Sequence, residues 1–161
     1  IPKKEMIAQI GADVPVCLSE KFQRVRGIGE ITEEIYGNNF ELWIVLVNPR
    51  INVSTGKIFQ SLKETENKGL ESFKGFKTSK DFINYLLRQR NDLQSVACEK
   101  YPEIKCVLDE ILETKSNLLA RMTGSGSTCF GLYSKMEDAL RAQENMREKF
   151  KSWWVKYSKV F

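Results

Sequence analysis

The sequence predicts an α+β domain, a mainly antiparallel sheet with helices on one face. Three observations carry that expectation. The run Phe40-Glu41-Leu42-Trp43-Ile44-Val45-Leu46-Val47 has the β-branched and aromatic content of a buried strand. After Pro102, the residues Ile104, Val107, Leu108, Ile111 and Leu112 follow the i, i+3, i+4, i+7, i+8 stripe of a core-facing helix. The order along the chain is strands, then helices, then strand-strand-helix-strand, and such segregation suits an antiparallel sheet covered on one side.

The elements follow in order. Glu5 to Ile10 is helical in pattern and stops at Gly11, a common helix ending. Pro15 biases Val14 towards an extended form. Residues 22–26 read as a short strand and Gly27-Ile28-Gly29-Glu30 as a bend. The apolar strand at 40–47 stops at Asn48-Pro49, and Ser54 is a candidate N-cap for a helix over 55–62. Residues 63–77 are polar and contain glycine, the composition of a mobile loop. A helix from Ser79 or Lys80 to Arg90 puts Phe82, Leu86 and Leu87 on one side. Asn91-Asp92 can cap the next helix, which runs to Lys100, and Pro102 opens the striped helix at a position that tolerates proline. Residues 118–122 and 129–133 are strand-like. Residues 136–150 form an amphipathic helix with Met136, Ala139, Leu140, Gln143, Met146 and Phe150 along one side, and 153–157 is a terminal strand.

Composition excludes several function classes. The 161 residues suffice for one full domain and little more. The net charge of +4 is modest and the signs alternate, so no basic stripe suggests nucleic acid. The densest basic stretch, 147–159, is interrupted by Glu148, Trp153 and Trp154 and reads as a solvated face. There is no histidine, and Cys17, Cys98, Cys106 and Cys129 form no CxxC pair, which argues against zinc and against imidazole catalysis. The cysteines have apolar neighbours, as buried thiols of a reducing compartment do; a Cys98–Cys106 pairing is the less favoured alternative. No apolar run has the length of a membrane span and no signal peptide is visible, so the expected location is cytoplasmic, with no membrane partner.

Four polar segments carry possible chemistry. In Thr123-Gly124-Ser125-Gly126-Ser127-Thr128 the glycines permit φ > 0, successive N–H groups can form an anion nest, and the hydroxyls add donors. A plain glycine-rich hairpin turn explains the same spacing, and spacing alone favours it. Asp13 is a lone carboxylate among apolar residues, either a turn cap or a charge partner at an active site. Ser54, Thr55 and the helix start beside them offer a second anion site, and Phe59 can stack on a base, although an aromatic one turn into a helix is usually core. Asn91-Asp92-Leu93 is the fourth, and capping alone is enough to explain it without excluding a role at the site.

These segments occur in one order: GADVPVCL, GIGEI, LVNPRINVSTGKIF, NDL and ARMTGSGSTCFGLY. In that order and spacing the chain resembles the C-terminal part of the 4-diphosphocytidyl-2-C-methyl-D-erythritol kinase family, one of the GHMP small-molecule kinases. The resemblance covers nearly the whole chain and is weakest at 63–77 and at the C-terminal end. It implies a ferredoxin-like sandwich for residues 26–161, the substrate-side domain, with residues 1–25 as the tail of an ATP-binding N-terminal domain. It implies transfer of the ATP γ-phosphate to the 2-hydroxyl of a cytidine-diphosphate-linked methylerythritol in the non-mevalonate route to isoprenoids, with Mg²⁺ accompanying ATP. Asp13 matches the catalytic base, and Thr55 and Phe59 match substrate contacts, with Phe59 beside the cytosine ring. Thr123, Gly124, Ser125, Gly126, Ser127 and Thr128 match the glycine loop near the transferred phosphate. No residue is implied as a metal ligand. The family's early catalytic lysine and its Pro-x-x-x-Gly-Leu-Gly-Gly-Gly-Ser-Ser-type triphosphate loop have no counterpart in this sequence. The expectation is the substrate-side half of a kinase, lacking its N-terminal half and inactive alone. The competing expectation is a non-catalytic GHMP-type domain that binds a phosphorylated ligand or a partner.

Overall fold

The computed structural model describes residues 16, 22–27, 29, 31–35, 40–64, 67–73 and 75–160. The expected helix at 5–10, Asp13 and Cys17 lie outside these residues. Two units emerge, Ile1–Asn38 with Ser72–Lys77, and Asn39–Glu71 with Thr78–Phe161.

In the first unit, β1 (Gln23–Arg26) pairs antiparallel with β2 (Ile31–Glu34), Arg26 opposite Ile31. Gly27 and Gly29 turn the chain at φ +70° and +119°, a region that glycine enters without steric cost. Where the sequence predicts a bend, Gly27 and Gly29 thus lie between two paired strands. Ile31–Glu34 is polar at three of its four positions, so pairing rather than propensity makes it a strand, and its sequence does not announce it.

The second unit runs β3 (Trp43–Asn48), α1 (Thr55–Gln60), α2 (Ser79–Arg88), α3 (Gln94–Lys100), α4 (Pro102–Leu112), β4 (Leu119–Met122), β5 (Cys129–Tyr133), α5 (Met136–Lys149) and β6 (Trp154–Lys159). Its sheet has the order β4-β5-β3-β6 with every neighbouring pair antiparallel. Strand, helices, hairpin, helix, strand is the split β-α-β-β-α-β plan of a ferredoxin-like sandwich, as expected, with β3 and β5 central.

Strand periodicity builds the core. Across the ladders Val45 faces Gly131 and Tyr157, and Val47 faces Cys129 and Val155. One face of the sheet therefore presents Val45, Val47, Met122, Cys129, Tyr133 and Val155, all buried. α4 packs Ile104, Val107 and Ile111 into this core, and α5 packs Ala139, Ala142 and Met146. Each large aliphatic side chain so buried contributes about 1.5–3 kcal/mol. Gln143 is buried with them because its Oε1 accepts the Tyr157 N–H at 3.0 Å.

The expected stripes fail at their ends. Leu112 closes α4 and is 59% exposed; Met136 opens α5 and is also exposed. In α2 the buried residues are Phe82, Ile83 and Tyr85, whereas Leu87 faces solvent. With apolar residues at five of positions 82–87, more than one stripe fits. Within the stretch read as a mobile loop, Glu71 is tied to α2. Tyr85 Oη donates to the Glu71 carbonyl at 2.9 Å, and Arg88 Nε reaches the Glu71 carboxylate at 3.1 Å.

Gly131 sits where α4 presses on β5. A Cβ there would lie 2.5 Å from Ile111 Cγ2, 2.9 Å from Asn117 Nδ2 and 3.0 Å from Tyr133 Oη. Gly131→Ala should lower the unfolding free energy by about 1–3 kcal/mol in urea melts; an unshifted midpoint would rule out so close a contact.

Cys98, Cys106 and Cys129 are free thiols, so the 98–106 pairing does not form. Burial pushes the Cys129 thiol up from the ordinary 9.0 to about 12, with Cys98 adding in the same direction. The protonated thiol therefore stabilises the fold fully below about pH 9, and that contribution drains away as pH rises towards about 12. Alkaline unfolding curves of the wild type and Cys129→Ala should converge over this range. Parallel curves would speak against the shift.

Candidate functional site

Residues 123–128 link β4 to β5 at one end of the sheet. Thr123 N–H donates to the Thr128 carbonyl and Gly126 N–H to the Thr123 carbonyl, both at 2.9 Å. Gly124 has φ +49° and Gly126 φ +91°. Among the described residues, the N–H groups of Gly124, Ser125, Ser127 and Thr128 meet no acceptor. Such unpaired N–H groups in one short turn are the donors that an anion takes up.

Two asparagines hold the loop, one at each end. Asn48, the last residue of β3, donates Nδ2 to Thr128 Oγ1 at 2.8 Å. Its Oδ1 accepts the Arg50 N–H at 2.7 Å, within a turn where Arg50 takes φ +59°. The Ser127 hydroxyl is shared between the Ile51 carbonyl at 3.2 Å and Asn48 Oδ1 at 3.4 Å. At the N-terminal end of the loop, Asn91 Nδ2 donates to the Met122 carbonyl at 2.9 Å and the Gly124 carbonyl at 2.8 Å. Asn91 Oδ1 accepts the Leu93 N–H at 3.0 Å, and Gln94 Oε1 accepts the Met122 N–H at 2.8 Å.

α1 stands beside the loop. Ser54 is its N-cap, as expected, accepting the Lys57 N–H at 3.4 Å. Ile58 is fully buried and anchors the helix, which leaves the adjacent Phe59 55% exposed. The ring of Phe59 is therefore not core and is open to stacking. Thr55 Oγ1 lies 2.8 Å from Ser125 Oγ, so the first turn of α1 touches the glycine loop directly.

The structure thus brings Thr55, Phe59 and residues 123–128 together on one unit, while Asp13 lies outside the described residues. Ser127 is buried with its hydroxyl turned inward, so its side chain shapes the loop. Sequence reasoning gave Asn48 as the stop of a strand and Asn91 as a candidate cap, without their roles at the loop, and missed Gln94; the N-cap of α3 is Leu93, with no side-chain cap bond. An Asn before Pro reads as a turn former, and no local signal reveals a partner 80 residues away.

A cleft of about 730 Å³ lies beside Asn91, lined also by Lys63, Arg90, Gln94 and Arg121. Arg121 donates to the Leu86 carbonyl at 2.9 Å near the C-terminal end of α2, and burial lowers its pKa. Among the described residues no group of three or more His, Cys, Asp or Glu side chains gathers to hold a metal ion, and no helix is long and apolar enough to cross a membrane.

Comparison with known proteins bears on the family and the fold. The family model "GHMP kinases C terminal" matches residues 72–152. The chain is 43% identical over 149 residues to a 4-diphosphocytidyl-2-C-methyl-D-erythritol kinase of Dinoroseobacter shibae, covering 92% of this chain and 52% of that protein. A protein of the same name from the Wolbachia of Brugia malayi is 39% identical, covering 94% of this chain and 52% of its own. The chain spans about half the length of the curated relatives it matches. A crystal structure of 4-(cytidine 5'-diphospho)-2C-methyl-D-erythritol kinase gives a TM-score of 0.75 at 23% identity, covering 98% of this chain and 57% of that one. Homoserine kinase from Cytophaga hutchinsonii gives 0.61 at 17% identity, covering 91% and 50%. At these identities the solved structures show the fold alone.

The two loop glycines differ in what they tolerate. A Cβ on Gly126 would lie 2.9 Å from Met122 Sδ and 3.0 Å from Ile104 Cδ1, whereas nothing lies within 4 Å of one on Gly124. At φ +49° Gly124 occupies the left-handed region that Asn accepts; Gly126 at +91° does not. Gly126→Ala should cost about 1–3 kcal/mol of stability, and Gly124→Asn under about 1 kcal/mol. Thermal melts giving the opposite order would contradict the loop conformation.

Proposed function

The chain belongs to the GHMP kinase family, and on that premise we propose that it is the substrate-side half of a kinase that phosphorylates the 2-hydroxyl of 4-diphosphocytidyl-2-C-methyl-D-erythritol. The supporting observation is the glycine loop, with four open N–H groups, hydrogen-bonded through Ser125 to Thr55 on the helix that exposes Phe59. One surface of the unit thus combines donors for a phosphate with an aromatic face for a base. Phosphoryl transfer rests chiefly on positioning and on donors aimed at the equatorial oxygens, and fixed N–H groups supply both. Phe59 stacks on the cytosine and Thr55 contacts the substrate. Asp13 takes the proton of the attacking hydroxyl, a role worth on the order of 10²–10⁴ in rate.

Residues 1–25 belong, in this reading, to the tail of an N-terminal domain that wraps the ATP triphosphate. Mg²⁺ enters as the companion of ATP; the described residues offer it no carboxylate cluster, and the loop contributes N–H and hydroxyl donors. The reaction takes place in the cytoplasm.

A kinase assay tests the proposal in two forms of the protein. This chain alone should bind the cytidyl substrate without turning it over. Joined to the N-terminal half of its kinase it should be active. There, Asp13→Asn should lower kcat by about 10²-fold or more with little change in KM. Phe59→Ala should raise KM roughly tenfold, the scale of one lost stacking contact, and leave the melting temperature unchanged. Turnover by this chain alone, or an Asp13→Asn enzyme with full kcat, would overturn the assignment. Binding without turnover in the joined protein would favour a non-catalytic domain.

A further inference from the structure

Asn91 does more than a turn requires. A residue that only leads the chain into α3 needs one acceptor, and Oδ1 provides it to Leu93 N–H at 3.0 Å. The amide nitrogen is spent elsewhere, on the carbonyls of Met122 at 2.9 Å and Gly124 at 2.8 Å. Both N–H protons of the carboxamide are used, so its orientation is fixed from three sides.

The second of these bonds has a geometric consequence. In a planar trans peptide the N–H points opposite the C=O. Pinning the Gly124 carbonyl towards Asn91 therefore directs the Ser125 N–H away from Asn91, and among the described residues that N–H meets no acceptor. Gly124, at φ +49° with open space around it, has the freedom to let this peptide rotate by half a turn. Ser125 Oγ is held by Thr55 at 2.8 Å, but a side-chain bond does not fix the direction of the preceding peptide.

We propose that Asn91 is a positioning residue that locks the Gly124–Ser125 peptide, so that the Ser125 N–H faces the phosphate under transfer. The phosphate part of this statement rests on the kinase reading above; the lock itself does not. Asn91 touches no reacting atom and acts through the loop backbone. Its effect belongs in kcat, where alignment of a donor with the transferring group counts, rather than in substrate affinity.

Asn91→Asp separates the two roles. Aspartate still accepts the Leu93 N–H, but it turns an oxygen towards two carbonyls. Asn91→Ser, which also keeps a short acceptor for the turn, removes the paired donors without adding charge and serves if the aspartate variant does not fold. In this chain, amide exchange at Thr123 and Gly126, whose N–H groups close the loop, should quicken roughly tenfold or more in either variant while the amides of β3 keep their protection. The Ser125 amide resonance should shift. In the joined kinase, kcat should fall on the order of tenfold to a hundredfold with KM for the cytidyl substrate within about twofold. Unchanged exchange at Thr123 and Gly126 in both variants would overturn the lock and leave Asn91 as the lead-in to α3. Faster exchange with unchanged kcat would overturn the catalytic consequence. If the wild-type joined protein shows no turnover, the kinase reading falls, and the exchange data still decide whether Asn91 holds the peptide.

Discussion

The closeness with which α4 lies on the β4–β5 hairpin sets everything near the site. Two missing side chains permit it. Gly131 admits Ile111 against the strand, and Gly126 admits Ile104 against the loop. Ile104 and Ile111 are seven residues apart, two turns on one face of the helix, so one rigid element gauges both strand and loop. Close-packed interiors do not deform continuously, and a helix lifted off the strand would take the loop's support with it. The loop is shaped from below by apolar contact before any polar group acts on it.

Polar contacts then choose among the conformations that the packing allows. Asn48 and Ser127 fix the C-terminal half of the loop, while Asn91 and Gln94 fix the N-terminal half and the strand before it. Each such bond contributes only about 0.5–1.5 kcal/mol net. Their value lies in direction. They consume carbonyls, side-chain groups and the Met122 N–H, while the N–H donors within the loop are left without a partner among the described residues, the condition for receiving an anion. Phe59 shows the same division: its neighbour Ile58 holds the helix and the ring is left free.

Much of the fold was legible because the pattern that specifies it is local. β3, α4 and α5 lie close to where periodicity puts them, and the α+β class follows from their order. What periodicity cannot state is where an element ends against its neighbour, which is why Leu112 and Met136 are exposed although both continue a stripe. β2 was invisible because its polar residues become a strand only through β1. At the site, the glycine loop, Ser54 and Thr55 were legible from residue type. The rule that places an aromatic near a helix start in the core misjudged Phe59, because Ile58 takes the inward position. Asn48, Asn91 and Gln94 act through partners that only the tertiary fold supplies, and no reading of neighbouring residues could find them.

The supports of the loop are also remote from it in sequence. Thr128 is held from 80 residues upstream, Ser125 from 70 and Gly124 from 33. Closing segments of such length costs chain entropy that only the completed sheet returns. During synthesis the anchors emerge well before the segment they hold, and the loop meets them only once the chain has passed residue 128. A half-folded chain therefore leaves the open N–H groups of the loop ungathered. On the reading proposed above, ligand capture becomes a report on whether the polypeptide has finished folding.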